Sequence, residues 1–172
     1  MPDDGSRLRD ITVLADEAAR LSIEVPVARL ERLASGLAAT TGTARGDIRF
    51  ERRSGFPAAQ VEASAEVTLA CQRCFGPLRL RLEGRSLVYL PTSENEAERV
   101  PADAEVLIAA EGRLRPAELV EEELLLALPF APLHAEGEGC AGRVETPEAE
   151  TSRDDVQRPF AALAGLMGRR DS

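Results

Sequence analysis

Two cysteines lie three positions apart in the segment 70-ACQRCFGP-77, with Gln72 and Arg73 between them. A CxxC pair at a tight turn is half of a typical zinc site, because both thiolates can reach one tetrahedral ion at about 2.3 Å. The same spacing occurs in thiol redox couples, and cysteine is also buried simply as a small apolar residue. Taken alone, the pair leaves these three interpretations open.

The remaining cysteine, Cys140, and the single histidine of the chain, His134, lie in one segment, 130-FAPLHAEGEGCAG-142. All thiols and the imidazole therefore fall into two clusters, which together make a candidate Cys₃His metal set: Cys71, Cys74, His134 and Cys140. Four protein ligands leave no obvious open position, so the ion that this set predicts is a structural zinc. A redox couple is less favoured, because thioredoxin-like pairs open a helix, and burial remains the simpler alternative.

Composition places the chain among soluble globular proteins. It has 172 residues, 44% of them hydrophobic and 30% charged, which suits a single domain. The acidic start, 1-MPDDG-5, does not resemble a signal peptide, and no apolar run is long enough for a membrane helix. We therefore expect a cytoplasmic protein with reduced thiols and no membrane partner. Aromatic residues make up only 3%, which argues against a function dominated by stacking on aromatic platforms.

The pattern from 46 to 91 alternates with a period of two, which is typical of strands with one buried face. In 60-QVEASAEVTLAC-71 the apolar residues share one parity, and Cys71 lies on the buried side. The alternation resumes in 78-LRLRLEGRSLVYL-90 after Gly76-Pro77, and 47-DIRFERR-53 is a shorter candidate. The CxxC pair is thus predicted at the bend between two antiparallel strands.

The other segments complete an α+β prediction: an antiparallel sheet of about five to six strands, packed against one main helix and short additional helices. The main helix is predicted at 116-PAELVEEELLLALP-129, opened by Pro116 and ended by Pro129. The remaining predictions are a strand at 8–14, a helix at 26–38, a mobile acidic loop at 91–105, and a strand at 105–110.

The predicted organisation has three parts. Residues 1–142 form the α+β domain with the CxxC turn and the His/Cys loop. Residues 143–157 are an acidic disordered segment, and residues 158–172 are a short apolar tail that contains Phe160, Leu163 and Met167.

Charge is distributed unevenly along a chain whose net charge is −9. Residues 49–85 hold seven arginines against four glutamates, whereas residues 94–123 hold ten acids against three arginines. The basic part supplies a candidate nucleic-acid contact: Arg73, Arg79, Arg81, Arg49 and Arg53. The alternative is that these arginines are solvated sheet residues that discourage edge pairing.

Known catalytic patterns do not stand out. The sequence contains no Gly-rich phosphate loop and no nucleophile elbow, and the run Glu121-Glu122-Glu123 reads as the polar side of a helix. We therefore expect a non-enzymatic protein without a small-molecule substrate.

Four motifs in order resemble the bacterial YceD family of large ribosomal RNA subunit accumulation proteins. They are 70-ACQRC-74, 119-LVEEELLLALP-129, 132-PLH-134 with Cys140, and 158-RPFAAL-163. The resemblance implies a non-enzymatic factor that supports accumulation or processing of large-subunit ribosomal RNA and ribosome assembly. Its expected partner is the ribosomal RNA precursor or a ribosome-assembly protein, and the matching thiols and histidine are the family's candidate metal ligands. The alternative is a zinc-stabilised adaptor that contacts a basic ribosomal protein or nuclease through its acidic segments.

Overall fold

The fold was analysed in a computed structural model that describes residues 3–135 and residue 140. The elements follow in this order: β1 (Arg9–Asp10), α1 (Ile11–Asp16), β2 (Arg20–Pro26), α2 (Glu31–Ser35), β3 (Thr43–Arg53), β4 (Phe56–Ala70), β5 (Pro77–Tyr89), α3 (Glu94–Ala97), β6 (Glu105–Val106), β7 (Arg113–Leu114) and α4 (Pro116–Leu126). A single turn of 3₁₀ helix precedes α2, and another precedes β7.

The main sheet has five strands in the order β2-β3-β4-β5-β6. The first four form an antiparallel meander, and β6 pairs with β5 in parallel. Strands β1 and β7 make a second, two-stranded sheet. Together with the four helices of the described residues, of which α4 is the main one, this confirms the predicted α+β class.

The long strands separate a buried face from an exposed face. Along β4, buried residues alternate with more accessible ones from Val61 to Leu69, as the sequence pattern predicted. The inner face carries the core. The two strands that pair with β4, β3 and β5, show the same period of two. Polar and charged side chains therefore gather on the outer face.

Helix α4 packs on the inner face of the sheet. Pro116 occupies the first turn as predicted, and Leu119, Val120 and Leu124 are buried. Two strand glycines make room for it: a Cβ at Gly46 would overlap the Val120 side chain, and a Cβ at Gly84 would overlap that of Glu123. Small residues at these positions let the backbones come close.

The segment 26–38 was predicted as one helix, and the structure divides it. Pro26 ends strand β2, and the helix α2 is only five residues long. No side chain of its own caps α2, but the Glu121 carboxylate of α4 accepts the backbone N–H groups of Arg32 and Leu33 at 2.8 and 3.1 Å. A carboxylate at a helix N-terminus is favourable, so α2 is stabilised by tertiary contact.

Three other local predictions were wrong in type or extent. Residues 8–14 were expected as a strand, but Asp10 accepts the N–H groups of Thr12 and Val13 and so caps helix α1. The loop 91–105 contains the helical turn α3, capped by Ser93. The strand expected at 105–110 comprises only Glu105–Val106.

The predicted acidic segment 143–157 and apolar tail 158–172 lie outside the described residues. Within the part of the chain that is described, none of the helices combines the length and apolar character needed to cross a membrane.

Substituting Gly46→Ala should destabilise the fold by about 1–3 kcal/mol, because the new methyl group pushes Val120 and helix α4 away from the sheet. Gly36→Ala is the matched control, since its Cβ would meet nothing closer than the Leu33 carbonyl oxygen at 3.7 Å. Urea unfolding of both variants measures the difference. Equal stability of the two variants would contradict the described packing of α4.

Candidate metal centre

The CxxC pair lies in the turn 71–76, which joins β4 to β5. The turn is closed by backbone hydrogen bonds: Cys71 N–H donates to the Gly76 carbonyl at 2.9 Å, and Phe75 N–H donates to the Cys71 carbonyl at 2.8 Å. The Cys71 side chain is fully buried, and that of Cys74 is half-buried. Both thiols are therefore held by the bend between two strands, as the alternation predicted.

The chain after α4 returns to this turn and is tied to it by Gln72. The backbone N–H of Gln72 donates to the Pro132 carbonyl at 2.9 Å, and its side-chain amide donates to the Phe130 carbonyl at 3.4 Å. These bonds place His134 beside the CxxC pair. In the sequence Gln72 stands only as a spacer between the cysteines, and its role becomes visible only when the two loops are seen to pair.

The four predicted ligands converge. The Nδ1 atom of His134 and the three cysteine Sγ atoms all lie within 4.8 Å of one another. The Cys71–Cys140 Sγ distance is 3.9 Å, and His134 Nδ1 lies 3.5 Å from Cys74 Sγ and 3.6 Å from Cys140 Sγ. Zinc bonds of about 2.3 Å to sulfur and about 2.0 Å to nitrogen imply tetrahedral edges of about 3.8 and 3.5 Å. The cluster, called the clasp below, therefore has the size of one metal site.

Neighbouring groups orient two of the ligands. His134 Nε2 lies 3.2 Å from the Pro77 carbonyl oxygen, to which it can donate only when it carries the ring proton. That tautomer leaves the Nδ1 lone pair directed at the thiols, as in metal-binding histidines. The Arg73 backbone N–H donates to Cys71 Sγ at 3.4 Å. Both contacts favour the ligand forms that a metal needs.

The thiols differ in how readily they ionise. Burial opposes ionisation of Cys71, but backbone donors from Arg73, His134 and Cys74 outweigh it and lower the pKa of Cys71 from 9.0 to about 5. Burial, followed by the adjacent Cys74 and Cys71 sulfurs, raises the pKa of Cys140. A crowded set of sulfurs thus resists complete ionisation unless a cation lies among them, which is how metal binding and thiol deprotonation are coupled.

The candidate nucleic-acid residues fall into two separate groups. Arg79 and Arg81 are exposed on the outer face of β5 near the clasp, and Arg73 lies on the turn itself. Arg49 and Arg53 were expected nearby, but successive turns of an antiparallel meander lie at opposite ends of the sheet. The β4 partners of Arg49 and Arg79 are eight residues apart, which is about 26 Å along the strand.

The outer face is not uniformly basic. Arg81 pairs with Glu83 at 2.6 Å, Arg53 with Glu51 at 3.4 Å, and Arg85 with Glu62 at 3.2 Å. Two arginines that sequence reasoning left out, Arg20 and Arg45, also lie on this face. Arg20 lies opposite Arg49, and Arg45 lies opposite Glu24. This register becomes visible only when β2 is recognised as a strand.

Comparisons with known proteins support the family resemblance. The model of the YceD family, described as large ribosomal RNA subunit accumulation protein YceD, matches residues 59–167. The Haemophilus influenzae protein of that name is 32% identical over 106 residues, which are 59% of this chain and 60% of the relative. The chain thus spans about 60% of the length of this curated relative. The comparison with solved structures gave no match. Because the family model covers more than half of the chain, including the clasp, the chain belongs to the YceD family.

Proposed function

We propose that this chain is a non-enzymatic factor that supports accumulation of large-subunit ribosomal RNA during ribosome assembly. Membership of the YceD family carries this proposal, because the family description and the curated relative both name that role. The chemistry of the chain agrees with a binding role. Its single histidine lies in the clasp with Nε2 at the Pro77 carbonyl, so no imidazole remains for acid–base catalysis elsewhere.

The clasp holds zinc in a structural role. Three sulfurs and one imidazole nitrogen are the ligands that zinc prefers, and four protein ligands fill its tetrahedral shell. The ion would connect the β4–β5 turn to the loop after α4, two segments that are otherwise joined here by the Gln72 hydrogen bonds and by the contact of His134 with the Pro77 carbonyl. Its binding free energy therefore becomes folding free energy for this end of the molecule.

The RNA contact lies at the clasp end of the sheet. Residues 70–82 and 126–135 contain three arginines, Arg73, Arg79 and Arg81, and no carboxylate, in a chain whose net charge is −9. Among the residues that the structure describes, Arg73 and Arg79 form no ion pair. Both are thus available to contact phosphate oxygens.

The adaptor alternative depends on acidic residues that the fold partly uses itself. Glu121 caps α2, Glu122 pairs with Arg32, and Glu118 pairs with Arg115. The Glu123 carboxylate is buried against the sheet and accepts a hydrogen bond from the Ser86 hydroxyl. These contacts reduce the acidic surface that α4 offers to a basic partner, so direct RNA binding is the favoured mode.

The zinc assignment predicts about one zinc per chain after purification without chelator. Removing the metal should lower the melting temperature by on the order of 10 °C, because several kcal/mol of folding free energy are lost. Cys140→Ser is the matched control: with one ligand already missing, it should melt lower and respond little to chelation. Metal-free protein with an unchanged melting temperature would refute the structural role.

The functional assignment predicts a cellular phenotype. Deleting the gene in its host should lower mature large-subunit ribosomal RNA relative to small-subunit RNA, and the wild-type gene should restore the ratio. Arg73→Ala/Arg79→Ala should restore it poorly, whereas Arg49→Ala/Arg53→Ala, which removes the same charge at the far end of the sheet, should restore it well. An unchanged RNA ratio in the deletion strain contradicts the assignment.

Direct contact predicts that affinity for large-subunit ribosomal RNA falls steeply with salt. Each phosphate contact to unpaired RNA contributes about −0.7 to the slope of log affinity against log salt, so Arg73→Ala/Arg79→Ala should flatten that slope by about 1.4. Titrations at several salt concentrations measure it. Association that survives RNase treatment and shows no salt dependence would instead indicate the adaptor.

A further inference from the structure

Four large apolar side chains are exposed around the clasp. Phe75 is 80% exposed and Phe130 is 101% exposed, and Leu126 and Leu133 are also exposed. Phe75 belongs to the CxxC turn and the other three to the end of α4 and the loop after it. Because Gln72 and the clasp join these two segments, we call this set the apolar knuckle. Isolated exposed apolar residues are common, but a group of them marks an interaction site.

The backbone at Phe75 gives a second, independent indication. Its φ of 58° lies in the left-handed region, where glycine and asparagine are much more favourable than a bulky aromatic residue. The exposed ring gains almost no burial in return. A residue that is unfavourable for the fold and unburied is best explained by a role in binding.

The charge around the knuckle identifies the chemistry of its partner. Residues 71–82, which form the turn and the start of β5, carry three arginines and no carboxylate, and residues 126–135 carry neither arginine nor carboxylate, although the chain as a whole is strongly acidic. Arg73 lies between the two cysteines, and Arg79 is the first exposed arginine of β5. Aromatic rings beside unpaired guanidinium groups are how proteins bind unpaired RNA: bases stack on the rings while cations contact the backbone.

We propose that the apolar knuckle is a stacking site for unpaired RNA, with bases on Phe75 and Phe130 and phosphates at Arg73 and Arg79. The proposal rests on the RNA role argued above and adds the form of RNA that is recognised. Duplex RNA keeps its bases inside the helix and offers phosphates alone, so the knuckle discriminates in favour of single strands. The low aromatic content of the chain argued against a stacking function, but the structure exposes two of the few aromatic rings on segments that Gln72 joins.

The test uses the full-length chain purified without chelator and two probes: an unstructured RNA of about 12 nucleotides and its duplex. Phe75→Gly should bind the single strand about 10-fold more weakly while its melting temperature stays the same or rises, because glycine adopts the positive φ without strain. Phe130→Ala should weaken single-strand binding similarly. For both variants the slope of log affinity against log salt concentration should remain that of the wild type, because no phosphate contact is removed.

The matched control is Val13→Ala, because Val13 is an exposed apolar residue on α1. This variant should bind both probes like the wild type. Unchanged single-strand affinity of Phe75→Gly and Phe130→Ala would overturn the proposal, as would an equal loss for the duplex. Loss of a protein partner with RNA affinity intact would also overturn it and assign the knuckle to protein docking. A negative result in this binding test would leave the expected RNA ratio of the deletion strain unchanged. The stacking proposal and the proposed function are therefore tested separately.

Discussion

The packing of α4 on the inner face of the sheet determines where everything else lies. Leu119, Val120 and Leu124 bury one side of the helix, and Gly46 and Gly84 set how closely it approaches. The chain leaves the end of the helix near the β4–β5 turn. There Gln72 donates hydrogen bonds to the loop after α4, and His134 lies beside the cysteines. Geometry at the clasp is therefore a consequence of packing in the core.

The glutamate run of α4 illustrates how one segment serves several purposes. Glu121 caps α2, Glu122 pairs with Arg32, and Glu123 is buried beside Ser86. In the sequence these residues read as the polar side of a helix. Three adjacent helical positions point about 100° apart, so each carboxylate meets a different neighbour, and which neighbour it meets depends on long-range contacts.

The sequence predicted the sheet and the clasp better than the small elements. Strict alternation along β4 and β5 defines both strands and the side on which Cys71 lies, and the scarcity of thiols and imidazole singles out the four candidate ligands, which the structure brings together. The helix at 11–16 was missed because a single cap at Asp10 outweighs apolar spacing over so few residues. Strand β2 was hidden by Pro26, which suggested a helix start, and the positions of Arg20 and Arg45 on the outer face were missed with it.

Ligands of the clasp are separated by most of the second half of the fold. During synthesis from the N-terminus, Cys71 and Cys74 are available long before His134 and Cys140, and two thiolates alone make a weak metal site. A chain interrupted within α4 cannot close the clasp. An ion held by all four residues would therefore mark a chain that has completed β5 and α4, and a truncated chain would lack the stability that such an ion supplies.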